Sequence, residues 1–106
     1  MQGAATGVVD LSRDDVKRGL AEGTITLVDV REPHEFAAGH VPGAVSVPLS
    51  TFDVEALPDA GRIVFSCNSG VRSVRAIEFA RASGRDIHEH YKGGFKDWLQ
   101  AGEPVE

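Results

Sequence analysis

Cysteine is almost missing from this 106-residue chain: Cys67 is the only one. A lone thiol excludes an internal disulfide framework and fits a reducing compartment, so a cytoplasmic location is expected. Long apolar runs are missing too. No stretch approaches the ~20 residues of a membrane span, so no membrane partner is expected. The opening Met-Gln-Gly-Ala-Ala-Thr-Gly has neither a basic start nor an apolar run. It therefore predicts no secretory signal, and residues 1–7 are expected to be disordered or peripheral. Basic clusters are absent as well. The 11 Lys and Arg are scattered among 16 Asp and Glu, for a net charge of −5, which argues against nucleic acid as a partner. There is no internal repeat and no low-complexity tract. His88 and His90 would share one face of a strand, but no third ligand stands at a suggestive spacing. They read as surface histidines, and neither a metal nor a cofactor is expected.

What is present is an ordinary globular composition, 42% hydrophobic and 25% charged, with 12 Gly and 5 Pro as punctuation. The length suits one domain over residues 1–106. Ser12 reads as a helix N-cap with Asp15 at the third helical position and Leu11 and Val16 as a staple; Gly23 closes that helix. Ile25 to Val30 is an apolar run dense enough for a strand covered on both faces. Arg31 to Gly39 predicts a short helix with Pro33 at its first position. Ala44–Val47 predicts a short strand, and Ser50 or Thr51 a weak helix through Leu57. Arg62–Ser66 reads as a buried strand and Ser73–Ser83 as a helix, with Ala76, Phe79, Ala80 and Ser83 on its packing stripe. A strand over Ile87–Tyr91 and a closing helix carrying Phe95, Trp98 and Leu99 complete the chain. Strands alternating with helices imply an α/β domain: a mainly parallel sheet of about five strands with helices on both faces.

Cys67 stands where such a fold does chemistry. Ligands of open parallel sheets bind beyond the carboxyl ends of the strands, and Cys67 directly follows one. The polar loop behind it, Asn68-Ser69-Gly70-Val71-Arg72, feeds a helix whose positive end and backbone N–H groups favour an anion. A thiolate is stabilised there, with Arg72 adding charge. A free cysteine is often only a small buried hydrophobe, but such a residue has no need of Ser, Asn and Gly neighbours. Cys67 is therefore read as a nucleophile. Asp29 and Arg31 are read as an ion pair or helix cap at a strand end, His40 as a turn-stabilising residue and Trp98 as core.

Three stretches carry a family resemblance. Leu27-Val28-Asp29-Val30-Arg31-Glu32-Pro33-His34-Glu35-Phe36 with Gly39-His40-Val41-Pro42-Gly43-Ala44 resembles the first signature of the rhodanese family. Cys67 through Ser73 resembles its active-site loop. Gly93-Gly94-Phe95 with Trp98, Gly102 and Pro104 resembles its C-terminal signature. The resemblance runs from about Val9 to Val105. It implies a single-domain sulfurtransferase in which Cys67 carries a sulfane sulfur as a persulfide. The donor would be a small anion such as thiosulfate, and the acceptor cyanide or a thiol. A protein thiol is a further possible partner. In that reading Asn68, Ser69, Gly70, Val71, Arg72 and Ser73 bind substrate: their N–H groups cradle the sulfur anion, Gly70 lets the backbone turn inward, and Arg72 holds the donor's anionic end.

Two other classes compete. Cysteine phosphatases and arsenate reductases also combine Cys, an N–H cradle and Arg, but with five residues between Cys and Arg. Here four intervene, Asn68 to Val71, and Ser73 occupies the next position. Ser66 also stands where those enzymes usually carry histidine. The other rival is a persulfide relay or binding module serving a protein partner; a retained cysteine and loop speak against an inactive module, while a relay is compatible with both.

Overall fold

The protein, seen here in a computed structural model, is described over residues 7–59 and 61–106. The peripheral segment expected at residues 1–7 lies outside these, apart from Gly7. Strand β1 (Val9–Leu11) leads into helix α1 (Arg13–Glu22). The helix starts where its caps dictate. Ser12 Oγ accepts from the Asp15 amide at 3.1 Å, and Asp15 Oδ2 accepts from the Ser12 amide at 3.0 Å, closing a reciprocal capping box. Gly23, left-handed at φ 69°, ends it.

Strand β2 (Thr26–Asp29), helix α2 (Pro33–Ala38) and strand β3 (Val45–Ser46) follow. Two 3-10 turns at Leu49–Thr51 and Val54–Ala56 replace the weak helix expected up to Leu57. Asp53 breaks the run between them, its carboxylate accepting from the Glu55 amide to start the second turn. Strand β4 (Ile63–Ser66), helix α3 (Val71–Ala82), strand β5 (Glu89–Tyr91) and helix α4 (Gly94–Gln100) complete the fold.

The five strands form one all-parallel sheet in the order β1-β5-β4-β2-β3. Alternation along the central strands splits the core between the two faces. Val28, Ile63 and Phe65 pack against Ala76, Ile77 and Ala80 of α3. Leu27 and Val64 face Val16 of α1 and Phe95 and Trp98 of α4. The α/β sandwich expected from the sequence is thus present, with helices on both faces. Val28, Val64 and Phe65 are wholly buried, each worth roughly 1.5–3 kcal/mol of transfer free energy.

Two details of α3 differ from expectation. It begins at Val71 rather than Ser73, because Gly70 takes a left-handed conformation (φ 87°) and turns the chain into the helix at once. Its buried stripe is Ser73, Ala76, Ile77 and Ala80. Phe79, expected on that stripe, is 46% exposed and lies against Phe52 at 6.2 Å instead. In α4, Phe95 and Trp98 are core, while Leu99 turns outward. Trp98 satisfies its indole N–H on the Pro104 carbonyl at 2.6 Å.

Candidate active site

Cys67 follows the last residue of the central strand β4, at the carboxyl edge of the sheet, and is 1% exposed. Its Sγ accepts from the Gly70 amide at 3.1 Å and the Ser73 amide at 3.4 Å, and faces Ser73 Oγ at 3.6 Å. Burial pushes the thiol up. The Ser73 hydroxyl and the amides of Ser73, Ser69 and Gly70 outweigh it, so Cys67 ionises below the ordinary thiol range.

A loop that aims its N–H groups inward must dispose of its carbonyls elsewhere. Here α4 takes them. The Phe95 amide donates to the Cys67 carbonyl at 2.8 Å, and the Lys96 amide to that of Asn68 at 3.1 Å. This close approach explains Gly94. At φ 68°, a Cβ there would stand 2.5 Å from the Asn68 carbonyl oxygen and 2.6 Å from that of Cys67. Gly70 is confined in the same way: its Cβ would meet the Lys92 carbonyl oxygen at 2.5 Å.

Arg72 lies in the first turn of α3. Its guanidinium forks onto Glu35 of α2, with contacts of 2.7 and 3.1 Å, and about a third of the side chain is exposed. That bond, above all, holds the Glu35 carboxyl down at about 2 despite partial burial. Arg72 thus braces the loop against α2, a role its place in the loop does not announce. Asn68, Ser69 and Val71 flank the thiol, Val71 being 69% exposed at the rim.

Below the loop, Arg31 is buried and carries most of the local scaffolding. It grips Asp29 through Nε and Nη2, donates from Nη2 to the Gly39 carbonyl at 2.8 Å, and lies 4.3 Å above the Phe95 ring. Asp29 and Arg31 are the strand-end ion pair their positions suggest. His40 likewise tethers its turn, through Nδ1 and the Phe36 carbonyl at 2.8 Å.

One expectation fails. His90 is not at the surface but 2% exposed. Register puts Asp10, His90 and Phe65 side by side across β1, β5 and β4, and α3 covers them. His90 Nδ1 lies 2.7 Å from Ser73 Oγ, and Nε2 lies 2.7 Å from Asp10 Oδ1. His88 stands nearer the surface, partnered by the Gly7 carbonyl and Asp86. Among the described residues, no group of three His, Cys, Asp or Glu could hold a metal ion. A cleft of about 640 Å³ opens beside the loop, with Ser69, Lys92, Arg13 and Tyr91 in its walls.

With this geometry in place, comparison with known proteins is decisive. The rhodanese-like domain family matches residues 12–101 of the chain. The chain belongs to that family. It is 32% identical over 110 residues to the human thiosulfate:glutathione sulfurtransferase, covering 89% of this chain and 96% of that protein. It is 42% identical over 83 residues to an uncharacterised protein of Synechocystis, covering 76% of this chain but only 46% of the relative. Among solved structures, a Rhodopseudomonas palustris protein of unknown function, described as a possible tyrosine phosphatase, superposes with a TM-score of 0.78 at 29% identity. That match covers 97% of this chain and 88% of the other. The fold and the rhodanese-like family of this chain are therefore established. No helix among the described residues is long and apolar enough to cross a membrane.

Proposed function

We propose that this rhodanese-like domain is a thiosulfate sulfurtransferase working through a Cys67 persulfide. The Cys67 thiolate attacks the outer sulfur of thiosulfate or a similar anionic donor. A sulfur–sulfur bond forms to Cys67, the donor's sulfur–sulfur bond breaks, and its electron pair leaves with sulfite. The cysteine is left as Cys67–S–S⁻. A thiol or cyanide then takes the outer sulfur and returns the thiolate, a two-step covalent exchange.

The observation that carries this reading is the direction of the loop's hydrogen bonds. Amides from Gly70 and Ser73 converge on Sγ, while the Cys67 and Asn68 carbonyls are turned away onto α4. Such fixed donors stabilise a sulfur anion without reorganising during the reaction. Arg72, its side chain about a third exposed, offers charge to the donor's sulfonate end. The cleft beside Ser69 gives an acceptor thiol a place from which to approach. The human relative's name supports a thiosulfate donor and a thiol acceptor.

The phosphatase reading draws support from the Rhodopseudomonas structure, described as a possible tyrosine phosphatase. Against it stands the shorter loop, in which the residue after Arg72 is Ser73, turned onto the sulfur rather than outward. The test is intact mass after incubation with thiosulfate. A gain of about 32 Da, as a covalent sulfur intermediate requires, lost again on adding cyanide and absent in Cys67→Ser, is the expected result. No adduct together with turnover of an aryl phosphate would replace this reading with the phosphatase one.

A further inference from the structure

Behind Cys67 the structure holds an unbroken line of polar contacts: Sγ to Ser73 Oγ, Ser73 Oγ to His90 Nδ1, and His90 Nε2 to Asp10 Oδ1. Ser73 is wholly buried, His90 nearly so, and Asp10 reaches solvent. Nothing in the cradle chemistry requires this arrangement, because Sγ already has its amides. A buried imidazole placed behind a buried hydroxyl, with a carboxylate at its far nitrogen, is a device for moving a proton.

The hydrogen-bond inventory fixes the roles. The Asp10 carboxylate, held below its usual range first of all by His90, can only accept, so Nε2 carries a proton. With the imidazole neutral, Nδ1 is then an acceptor and Ser73 must donate to it. The hydroxyl thereby leaves only lone pairs for Cys67, an arrangement that suits the thiol. If Nδ1 is protonated instead, it donates to Ser73 Oγ, and the hydroxyl proton is free to point at sulfur, an arrangement that suits the thiolate. The two states differ by a concerted shift of two protons. The Cys67 proton passes to Ser73 Oγ while the Ser73 proton passes to His90 Nδ1. The electron pair stays on sulfur, and Asp10 faces the resulting imidazolium.

We propose that His90 is the base for Cys67, acting through the Ser73 hydroxyl and set by Asp10, so that the resting thiolate exists as an ion pair with a buried imidazolium. His90 and Asp10 are positioning residues, since neither touches the sulfur or the donor. The inference rests on the reading of Cys67 as the reactive thiolate. The charged and titratable groups around the imidazole are Asp10 from β1 and Cys67 from the end of β4. Lys92, just past β5, reaches Asp10 at 3.5 Å, and Glu78 and Arg81 of α3 share the groove in which Asp10 lies. The titration therefore belongs to a coupled pair rather than to Cys67 alone.

Asp10→Asn gives a test whose sign decides. Asparagine keeps an oxygen for the Nε2 hydrogen bond and removes only a charge, at a half-exposed position. If Asp10 acted on Cys67 merely as a nearby negative charge, its removal would favour the thiolate and lower the thiolate midpoint. If it sustains the imidazolium partner, its removal must raise that midpoint.

The measurement is the ultraviolet absorbance of the thiolate against pH in the full chain, with Cys67→Ser as the blank that removes the Tyr91 signal. The expected result is a midpoint raised by about half a pH unit in Asp10→Asn and by about one unit in His90→Gln, within the usual reach of a neighbouring charge. A midpoint that falls, or stays within about 0.2 pH unit, in Asp10→Asn overturns the relay even if His90→Gln fails to fold. The titration needs no sulfur donor, and the persulfide mass needs no relay. A normal mass gain with an unmoved midpoint defeats the relay alone, whereas a moved midpoint without any mass gain defeats the sulfurtransferase reading alone.

Discussion

The Phe95 amide donates to the Cys67 carbonyl at 2.8 Å, so the last helix of the domain holds the shape of the loop that precedes α3. The Cys67 loop and the C-terminal helix are one mechanical unit, although the two partners lie 28 positions apart in sequence.

Gly94 is the joint of that unit, and Gly94→Ala should damage both stability and transfer. The added methyl meets two carbonyl oxygens, and φ 68° is a strained conformation for alanine. A loss of ~2–4 kcal/mol is expected from strain plus collision. Urea denaturation measures it, and thiosulfate:cyanide turnover should fall in the same variant. A stability equal to wild type would show that the loop and α4 can part without cost.

Arg72 and Glu35 make a paired prediction on the donor. Arg72→Ala removes positive charge from the rim and should raise the donor KM more than it lowers kcat, as for lost uniform binding. Glu35→Gln leaves the guanidinium unneutralised and keeps an oxygen for the Glu32 amide that Glu35 caps. It should lower the donor KM several-fold. Steady-state kinetics with thiosulfate decide. A KM unchanged in both variants would confine Arg72 to bracing the loop.

The same pair gives a pH dependence. The folded Glu35 carboxyl, at about 2, is depressed from 4.5 chiefly by the Arg72 hydrogen bond. A depressed carboxyl stabilises the fold above its unfolded value and loses that contribution as pH falls toward the folded one. Between about pH 4.5 and 2, the pair should lose ~1–2 kcal/mol, a figure reduced for its partial exposure. Denaturation of wild type and Glu35→Gln at pH 7 and pH 3 should show the gap between them closing at the lower pH.

Asp29→Asn tests the buried scaffold. It leaves Arg31 with a charge 4% exposed and no carboxylate, a change worth roughly 3 kcal/mol or more when a buried pair loses one partner. The thermal midpoint should drop markedly. A midpoint within a degree or two of wild type, a small shift for a domain of about this size, would mean that the Gly39 carbonyl and the Phe95 ring satisfy Arg31 alone.

Features governed by neighbours in sequence could be read before the fold was known. The Ser12–Asp15 box, Pro33 at the head of α2 and the apolar runs of β2 and β4 depend on residues within a turn or a strand. The place of Cys67 was legible because a strand end, a polar loop and a helix start are all local. His90 was not. Between Glu89 and Tyr91 it looks solvent-facing, and only the pairing of β1 beside β5 and the packing of α3 over it, from 80 and 17 residues away, bury it. Glu35 was hidden for the same reason, since its partner lies 37 residues on. In the sequence Gly94 is only one of two adjacent glycines. The real demand on Gly94 is a backbone approach across the molecule, which sequence periodicity does not encode.

The burial of Cys67 also shapes the order of events at the rim. Sulfur at 1% exposure can be reached only by a slender reagent. On the proposed mechanism, a loaded side chain would be longer by one sulfur–sulfur bond, about 2 Å, and its outer atom would reach that much further from the cradle. Loading would thus turn a recessed thiolate into a protruding electrophile. A bulky acceptor barred from the empty thiol would meet the cargo at the threshold, and the pocket itself would tell a charged enzyme from an uncharged one by reach.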